Sequence, residues 1–382
     1  MSSSTKTADK VDQGVFSLLK PEDLIRGKTP ADIGKRCQKI CADYIGGQWA
    51  SARVEDLTVT RITGGISNQV YRVQLLKNTK SHKNSKEPTD VSIKLYNSKR
   101  LLSHAPEDPE RLADTVVLTV LSEVRLGPKV YGIFADGFVQ QWVEHQKFGP
   151  VQMKDPGVVR QVAHALAKLH SLNVPINKSA AYWNLRQAED MLAAAYRDLP
   201  VEKIIRDAES PLPALSKYDI RKDIVWLRKT IEELNPPLVF SHNDFLGNNI
   251  LLTEPKGEIA LIDLEYASYG SRGFDLSVLL SQWGLAGNDY ENLDMPEEAV
   301  MEHFLTLYLE GAEKLAMENG ESKSEFASKR ENSLKYLLYE TKLMLCLFFL
   351  FWSAFHLNQR EALIEAIPFD MKVTYVSWLL EV

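Results

Sequence analysis

The chain is short of the features that mark several common protein classes. Its 382 residues include only three cysteines, Cys37, Cys41 and Cys346. An odd, sparse set of this kind does not suggest a disulfide framework. Cys37 and Cys41 lie four apart and can share a helix face. Two thiols with no Cys or His partner nearby make a poor zinc site, so both read as small buried apolar residues. There is no excess of positive charge. Lys plus Arg is 45 and Asp plus Glu is 51, for a net charge of −6. That balance argues against a general grip on nucleic acid and against polybasic attachment to a membrane. The most apolar run, Leu343 to Phe355, has 13 residues, where a spanning helix needs about 20. It reads as a buried core helix, and no stable membrane insertion is expected. Met1 to Gln13 is polar and lacks the apolar stretch of a signal peptide. The expected setting is reducing, soluble and cytoplasmic. No internal repeat is present.

What is present is ordinary globular material, 45% apolar and 25% charged, in a length that predicts two domains or lobes. Residues 1–14 read as a disordered tail. A helix is expected after Pro30, with Ile33, Cys37, Ile40, Cys41 and Tyr44 at helical spacing, stopped by Gly46 and Gly47. Strands are expected at 57–62, 69–75 and 91–96, with Thr63–Asn68 as a turn and the lysine-bearing 77–90 stretch as a solvated loop. A helix at 109–124 and strands at 128–134 and 138–143 complete a β-rich lobe over 15–145. Residues 146–382 turn mostly helical. They are interrupted by a short strand at 238–241 and a hairpin of 250–252 with 259–264. This order predicts an α+β fold of two lobes with a cleft between them.

The chemistry is concentrated in Ser241-His-Asn-Asp-Phe-Leu-Gly-Asn-Asn249, with Ile262-Asp-Leu-Glu265 following on the next hairpin strand. A strand end presents Asp244 on a loop, Asn249 opens the next strand, and Asp263 faces it across the ladder. Phosphoryl transfer calls for this set: a carboxylate to take the acceptor hydroxyl's proton, and an amide oxygen and second carboxylate for Mg²⁺, a hard cation. Asp244 is the base, and Asn249 and Asp263 are the metal ligands. Glu265, two positions on along a strand, points the same way and joins them. His242 reads as a packing and hydrogen-bonding residue. In the small lobe, Gly64 and Gly65 let backbone N–H groups approach phosphates, and Ser67 and Asn68 add donors. Lys94, a cation inside an apolar strand, reads as a phosphate ligand, with Asp114 its expected acidic partner and Glu110 the fallback. Gln141-Trp142-Val143 at the lobe junction is where the adenine of ATP would meet the backbone. No G-x4-G-K-[ST] loop occurs, nor the H-R-D, D-F-G and A-P-E set of protein kinases.

These residues in this order resemble the choline/ethanolamine kinase family of the protein-kinase-like superfamily. The likeness is carried by H-N-D-x4-N at 242–249, by Ile262-Asp-Leu-Glu-Tyr266 with Tyr269, and by Arg272-Gly-Phe-Asp275. Ile62–Asn68 and Leu126–Gly132 support it in the small lobe. The resemblance spans roughly 55–378. It implies ATP-dependent phosphorylation of choline or ethanolamine, the first step of the nucleotide-linked route to the matching phospholipid. It also implies Asp244 as base, Asn249 and Asp263 on Mg²⁺, Glu265 near a second metal, and Arg272 and Asp275 bracing the site. Family members are often dimers, so a homodimer is an expectation. A quaternary ammonium has no N–H and is held best by aromatic faces. Trp283, Tyr290, Phe349 and Trp352 are therefore the expected acceptor residues, with choline the first choice and ethanolamine the alternative. Two departures bear on the acceptor: Gln282 stands where the family often has a carboxylate, and Phe349 where choline kinases often have tryptophan. The remaining readings are an aminoglycoside-type small-molecule kinase, with Glu291, Asp294, Glu297 and Glu298 as its acidic cleft, and a non-catalytic pseudokinase scaffold. The latter would be marked by loss of Asp244, Asn249 or Asp263, and none is lost.

Overall fold

Residues 29–62, 68–76, 87–96, 111–178, 182–201, 203, 219–285 and 296–358 are described by the computed structural model of the protein. The first helix, α1 (Ile33–Tyr44), buries Cys37, Ile40 and Cys41, the apolar stripe its spacing predicts. Gly46 and Gly47 end it at φ +74° and +52°, backbone that disfavours a side chain. At Gly47 an added Cβ would lie 2.2 Å from the Glu87 carboxylate. A short helix, α2 (Gln48–Ser51), follows.

The small-lobe sheet contains β1 (Leu57–Ile62), β2 (Gln69–Leu75), β3 (Asp90–Leu95), β4 (Val130–Phe134) and β5 (Gly137–Gln141). Their order is β1-β2-β3-β5-β4, and all pairs are antiparallel. Its register lines up Tyr71, Ile93 and Val139, all buried, so one face is a continuous apolar band packed on α1. The same register carries Lys94 into the sheet opposite Phe138. β5 approaches so closely that a Cβ on Gly137 would sit 2.1 Å from the Lys94 carbonyl oxygen. Helix α3 (Arg111–Glu123) comes between β3 and β4. The 77–86 loop lies outside the described residues.

The large lobe begins with a strand that the sequence did not announce, β6 (His145–Lys147). It pairs with β8 (Ile250–Thr253), which in turn pairs with β9 (Ile259–Leu261). β7 (Leu238–Ser241) pairs with β10 (Ser268–Ser271), also unexpected. Both strands are three or four residues of mixed polarity, too short to show an alternating pattern. Helices make up the rest: α4 (Pro156–His170), α5 (Trp183–Asp198), α6 (Ile220–Leu234), α7 (Arg272–Ser281), α8 (Glu298–Glu318), α9 (Lys323–Ser328) and α10 (Leu334–Asn358). α4 starts where its cap dictates: Asp155 accepts from the N–H groups of Gly157 and Val158, with Pro156 in the first turn. Over Leu334–Ala354 α10 is long and apolar enough to cross a bilayer. Here it packs against α5, α6, α7 and α8 and is mostly buried. A helix apolar on all sides is satisfied by a protein interior as well as by lipid. The result is the α+β arrangement expected, a small β-rich lobe followed by a large α-helical one.

Candidate active site

The loop after β7 is held from below by one buried carboxylate. Asp275, in the first turn of α7, accepts from the backbone N–H of His242 and of Asn243, each at 2.7 Å, and from His170 Nε2 at 3.1 Å. Its neighbour Arg272 donates to Glu340 at 3.2 Å. Burial opposes the Arg272 charge, but Glu340 outweighs it and raises the pKa above the usual arginine range. This buried pair ties α7 to α10. His242 is fully buried; its Nε2 donates to the Ile262 carbonyl at 3.0 Å, and its Nδ1 accepts from the Asp244 N–H at 3.3 Å. Burial lowers its pKa, so the ring is a neutral brace between the two loops.

Asp244 is thereby presented to the cleft. Asn249 Nδ2 donates both to its carbonyl at 2.9 Å and to its Oδ2 at 2.8 Å. Burial, with the Asp263 charge beside it, pushes the Asp244 carboxyl up to about 8, against the pull of the Asn249 hydrogen bond. A carboxylate in such surroundings takes up a proton more readily than an exposed one.

Asp263 lies beyond the strand expected to carry it. β9 ends at Leu261, the Ile262 N–H donates to the Asn249 carbonyl at 3.1 Å, and Asp263 then adopts φ +63°. This left-handed residue breaks the strand, so strand alternation does not bring Glu265 to the site. Glu265 sits in the following turn, where Asn68 Nδ2 donates to its Oε2 at 2.8 Å across the cleft. The expected partner of Lys94 is also corrected. Its Nζ pairs with Asp263 Oδ1 at 2.5 Å, not with Asp114, which lines the same cavity; Glu110 lies outside the described residues. Sequence proximity favoured the next helix, whereas the fold lays β3 over the large lobe's loop. Burial works against the Lys94 charge, but Asp263 and Glu265 overcome it and hold its pKa above the normal lysine range. Burial likewise works against the Asp263 charge, and Lys94 overcomes it, holding Asp263 below the usual carboxylate range.

One cavity joins these groups. Asn68, Lys94, Asp244, Asn249, Asp263 and Glu265 all line it. At the lobe junction so do Gln141, Trp142 and Val143. The N–H groups of Gln141 and Trp142 are taken by the carbonyls of Lys129 and Asp90, at 2.8 and 3.4 Å. The Trp142 ring lies under the Arg72 guanidinium at 4.4 Å, and its Nε1 donates to Glu144 at 3.1 Å. Gly64, Gly65 and Ser67 lie outside the described residues.

The other end of the cavity is aromatic, and of the expected acceptor residues that are described only Trp352 lines it. Trp352 is there, with Phe348 and Phe351 from the same helix and with Trp183 and Tyr266. Phe349 is buried outside the lining, since the helix turns its 348/351/352 face to the cavity and position 349 is about 100° away. Trp283 packs between Phe148 and Phe304, centroids at 6.1 and 5.6 Å, in the helical core. Gln282 is likewise buried away from the cavity. Tyr290 lies outside the described residues. Trp183 and Phe351 were missed because a lone tryptophan opening a helix and one phenylalanine among many carry no local signal. Tyr266, in the same stretch as Glu265, could have been found from its place beside it.

The family profile described as choline/ethanolamine kinase matches residues 59–378. A choline/ethanolamine kinase of Mus musculus is 29% identical over 294 residues, which is 74% of this chain and 71% of that protein. A probable ethanolamine kinase of Arabidopsis thaliana is 28% identical over 279 residues, covering 72% and 68%. Among solved structures, choline kinase from Cryptosporidium parvum Iowa II superposes with a TM-score of 0.63 at 16% identity, covering 91% of this chain and 94% of that one. That likeness shows the fold. With the profile matched over most of its length, the chain belongs to the choline/ethanolamine kinase family.

Proposed function

We propose that this protein transfers the terminal phosphoryl group of ATP to the hydroxyl of choline, making phosphocholine for phospholipid synthesis. The observation that carries the reading is that a half-buried carboxylate held by an amide, Asp244 with Asn249, opens into the same cavity as an aromatic wall. A quaternary ammonium is attracted to aromatic faces and needs no hydrogen-bond acceptor. Seated against Trp352, Tyr266 and Trp183, it would direct the hydroxyl of a short amino alcohol toward Asp244. Asn249 occupies Asp244 Oδ2 and leaves Oδ1 for that hydroxyl. The raised pKa of Asp244 suits it to take the proton as the new P–O bond forms. Lys94 supplies fixed positive charge, and Trp142, braced by Arg72, bounds the nucleotide end of the cavity.

The donor set suits Mg²⁺. Asn249 Oδ1, Asp263 and Glu265 are hard oxygen donors on one cavity, and no group of three or more His, Cys, Asp or Glu with metal-binding geometry occurs among the described residues. Mg²⁺ is ordinarily held by one or two carboxylates together with substrate phosphates, which is the set offered here. When bound, the ion would neutralise charge on the phosphates.

The test is ADP release from Mg-ATP by the purified protein, with choline, ethanolamine, the N-methylated ethanolamines and kanamycin as separate acceptors. The highest kcat/KM is expected with choline. A preference for ethanolamine would make N–H hydrogen bonding, not the aromatic wall, the selecting contact. Turnover with kanamycin alone would overturn the amino-alcohol reading.

A further inference from the structure

Between His242 and Asp244 stands a residue that the chemistry above does not use. Asn243 lines the cavity, and its backbone is left-handed at φ +62°, a conformation asparagine tolerates better than most residues. Its donors are fully engaged. The backbone N–H goes to Asp275 Oδ1 at 2.7 Å, and Nδ2 goes to the Tyr266 carbonyl and to Ser268 Oγ, both at 2.8 Å. The Tyr266 carbonyl belongs to the residue whose ring stacks on Trp183, with centroids 5.6 Å apart and planes 27° from parallel. Trp183 leans in turn on Phe351 at 5.8 Å. Backbone contact anchors the start of α5 as well, since the Tyr182 N–H donates to the Tyr269 carbonyl at 3.3 Å.

We propose that Asn243 is a positioning residue that ties the aromatic acceptor wall to the loop carrying Asp244, so that the acceptor's seat and its base keep one spacing. The side chain is the only covalently neighbouring group that reaches from the base to Tyr266 among the described hydrogen bonds. One N–H of this planar amide holds the Tyr266 carbonyl and the other Ser268 Oγ, so a single side chain fastens the turn at both ends. Glycine at this position would keep the backbone turn and lose the tie. Aspartate would keep the shape but offer acceptors to a carbonyl that needs a donor. The kinetic part of this proposal rests on the acceptor reading above, while its structural part does not.

The test pairs Asn243→Gly and Asn243→Asp with protein labelled with 5-fluorotryptophan. Fluorine NMR then reports each tryptophan, Trp183 being assigned by Trp183→Phe, and Trp49 in the small-lobe core serves as internal reference. The Trp183 resonance is expected to shift or broaden in both variants while that of Trp49 holds. The acceptor KM is expected to rise about tenfold, with the KM for Mg-ATP changed less than about twofold. A Trp183 resonance unmoved in both variants overturns the tie whatever the kinetics. A moved resonance with equal rises in both KM values overturns the acceptor role. If Asn243→Gly does not fold, Asn243→Asp decides by the same readings. A wild-type protein silent toward every amino alcohol would sink the proposed function, and the resonance would still decide for or against the tie.

Discussion

The two ends of the cleft are held by different forces. At the polar end, Asp244, Asn249 and Asp263 come from one short stretch of chain and are fixed by directional bonds of 2.5–2.9 Å, including the ion pair to Lys94. At the aromatic end, Trp183, Tyr266, Phe351 and Trp352 come from α5, the turn after β9, and α10, and their rings pack on one another, with the Tyr266 carbonyl alone also tied by a side-chain hydrogen bond from Asn243. Hydrogen bonds demand particular atoms at particular spacings, so substitution at the first end is expected to cost most. Packing demands volume and face, so the second is expected to accept other aromatics at smaller cost.

That contrast can be broken with four variants. Asp244→Asn should lower kcat by about 10³-fold or more. The same variant has a pH signature. Asp244 has a folded pKa raised from 3.8 to about 8, so its ionisation costs stability progressively as pH rises through that window. At pH 8 the Asn variant should therefore melt no lower than wild type, and a melting temperature that drops would show the carboxylate to be structural. Lys94→Met should cost about 10²-fold in kcat/KM, since it removes the fixed charge and leaves Asp263 without its partner. A loss under threefold would mean the ion pair only latches the lobes. At the other end, Trp352→Leu should raise the acceptor KM about tenfold and leave the KM for Mg-ATP alone; an unchanged acceptor KM would remove Trp352 from the wall. The smallest kinetic effect belongs to Phe349→Leu. It should cost about 1 kcal/mol of stability, read as a fall in melting temperature, with both KM values unmoved. A changed acceptor KM there would restore Phe349 to the site.

The same contrast explains what could be read in advance. The small-lobe strands at 57–62 and 69–75 fall where alternation of β-branched residues put them, and the third is displaced by a single residue. That Asp244 and Asn249 share a cavity was legible because a polar run between apolar strands has few structural uses. The Lys94 partner was not legible, because an ion pair across 169 positions leaves no local trace. Nor was the break at Asp263, since left-handed backbone at an aspartate follows from the loop it must close. Trp283 and Phe349 lie outside the cavity lining, because packing in a core and facing a cavity select the same side chains.

The sequence by itself determined the strand and helix order of the small lobe, the α+β class, and which polar side chains gather between apolar strands. Those properties depend on local periodicity and on the functional groups themselves. Only the tertiary structure decided which carboxylate faces Lys94, which side of α10 meets the cavity, and that one amide, Asn243, reaches from the base loop to the turn carrying Tyr266. These depend on where elements distant in the chain come to rest against one another, and packing sets that only once the whole core has formed.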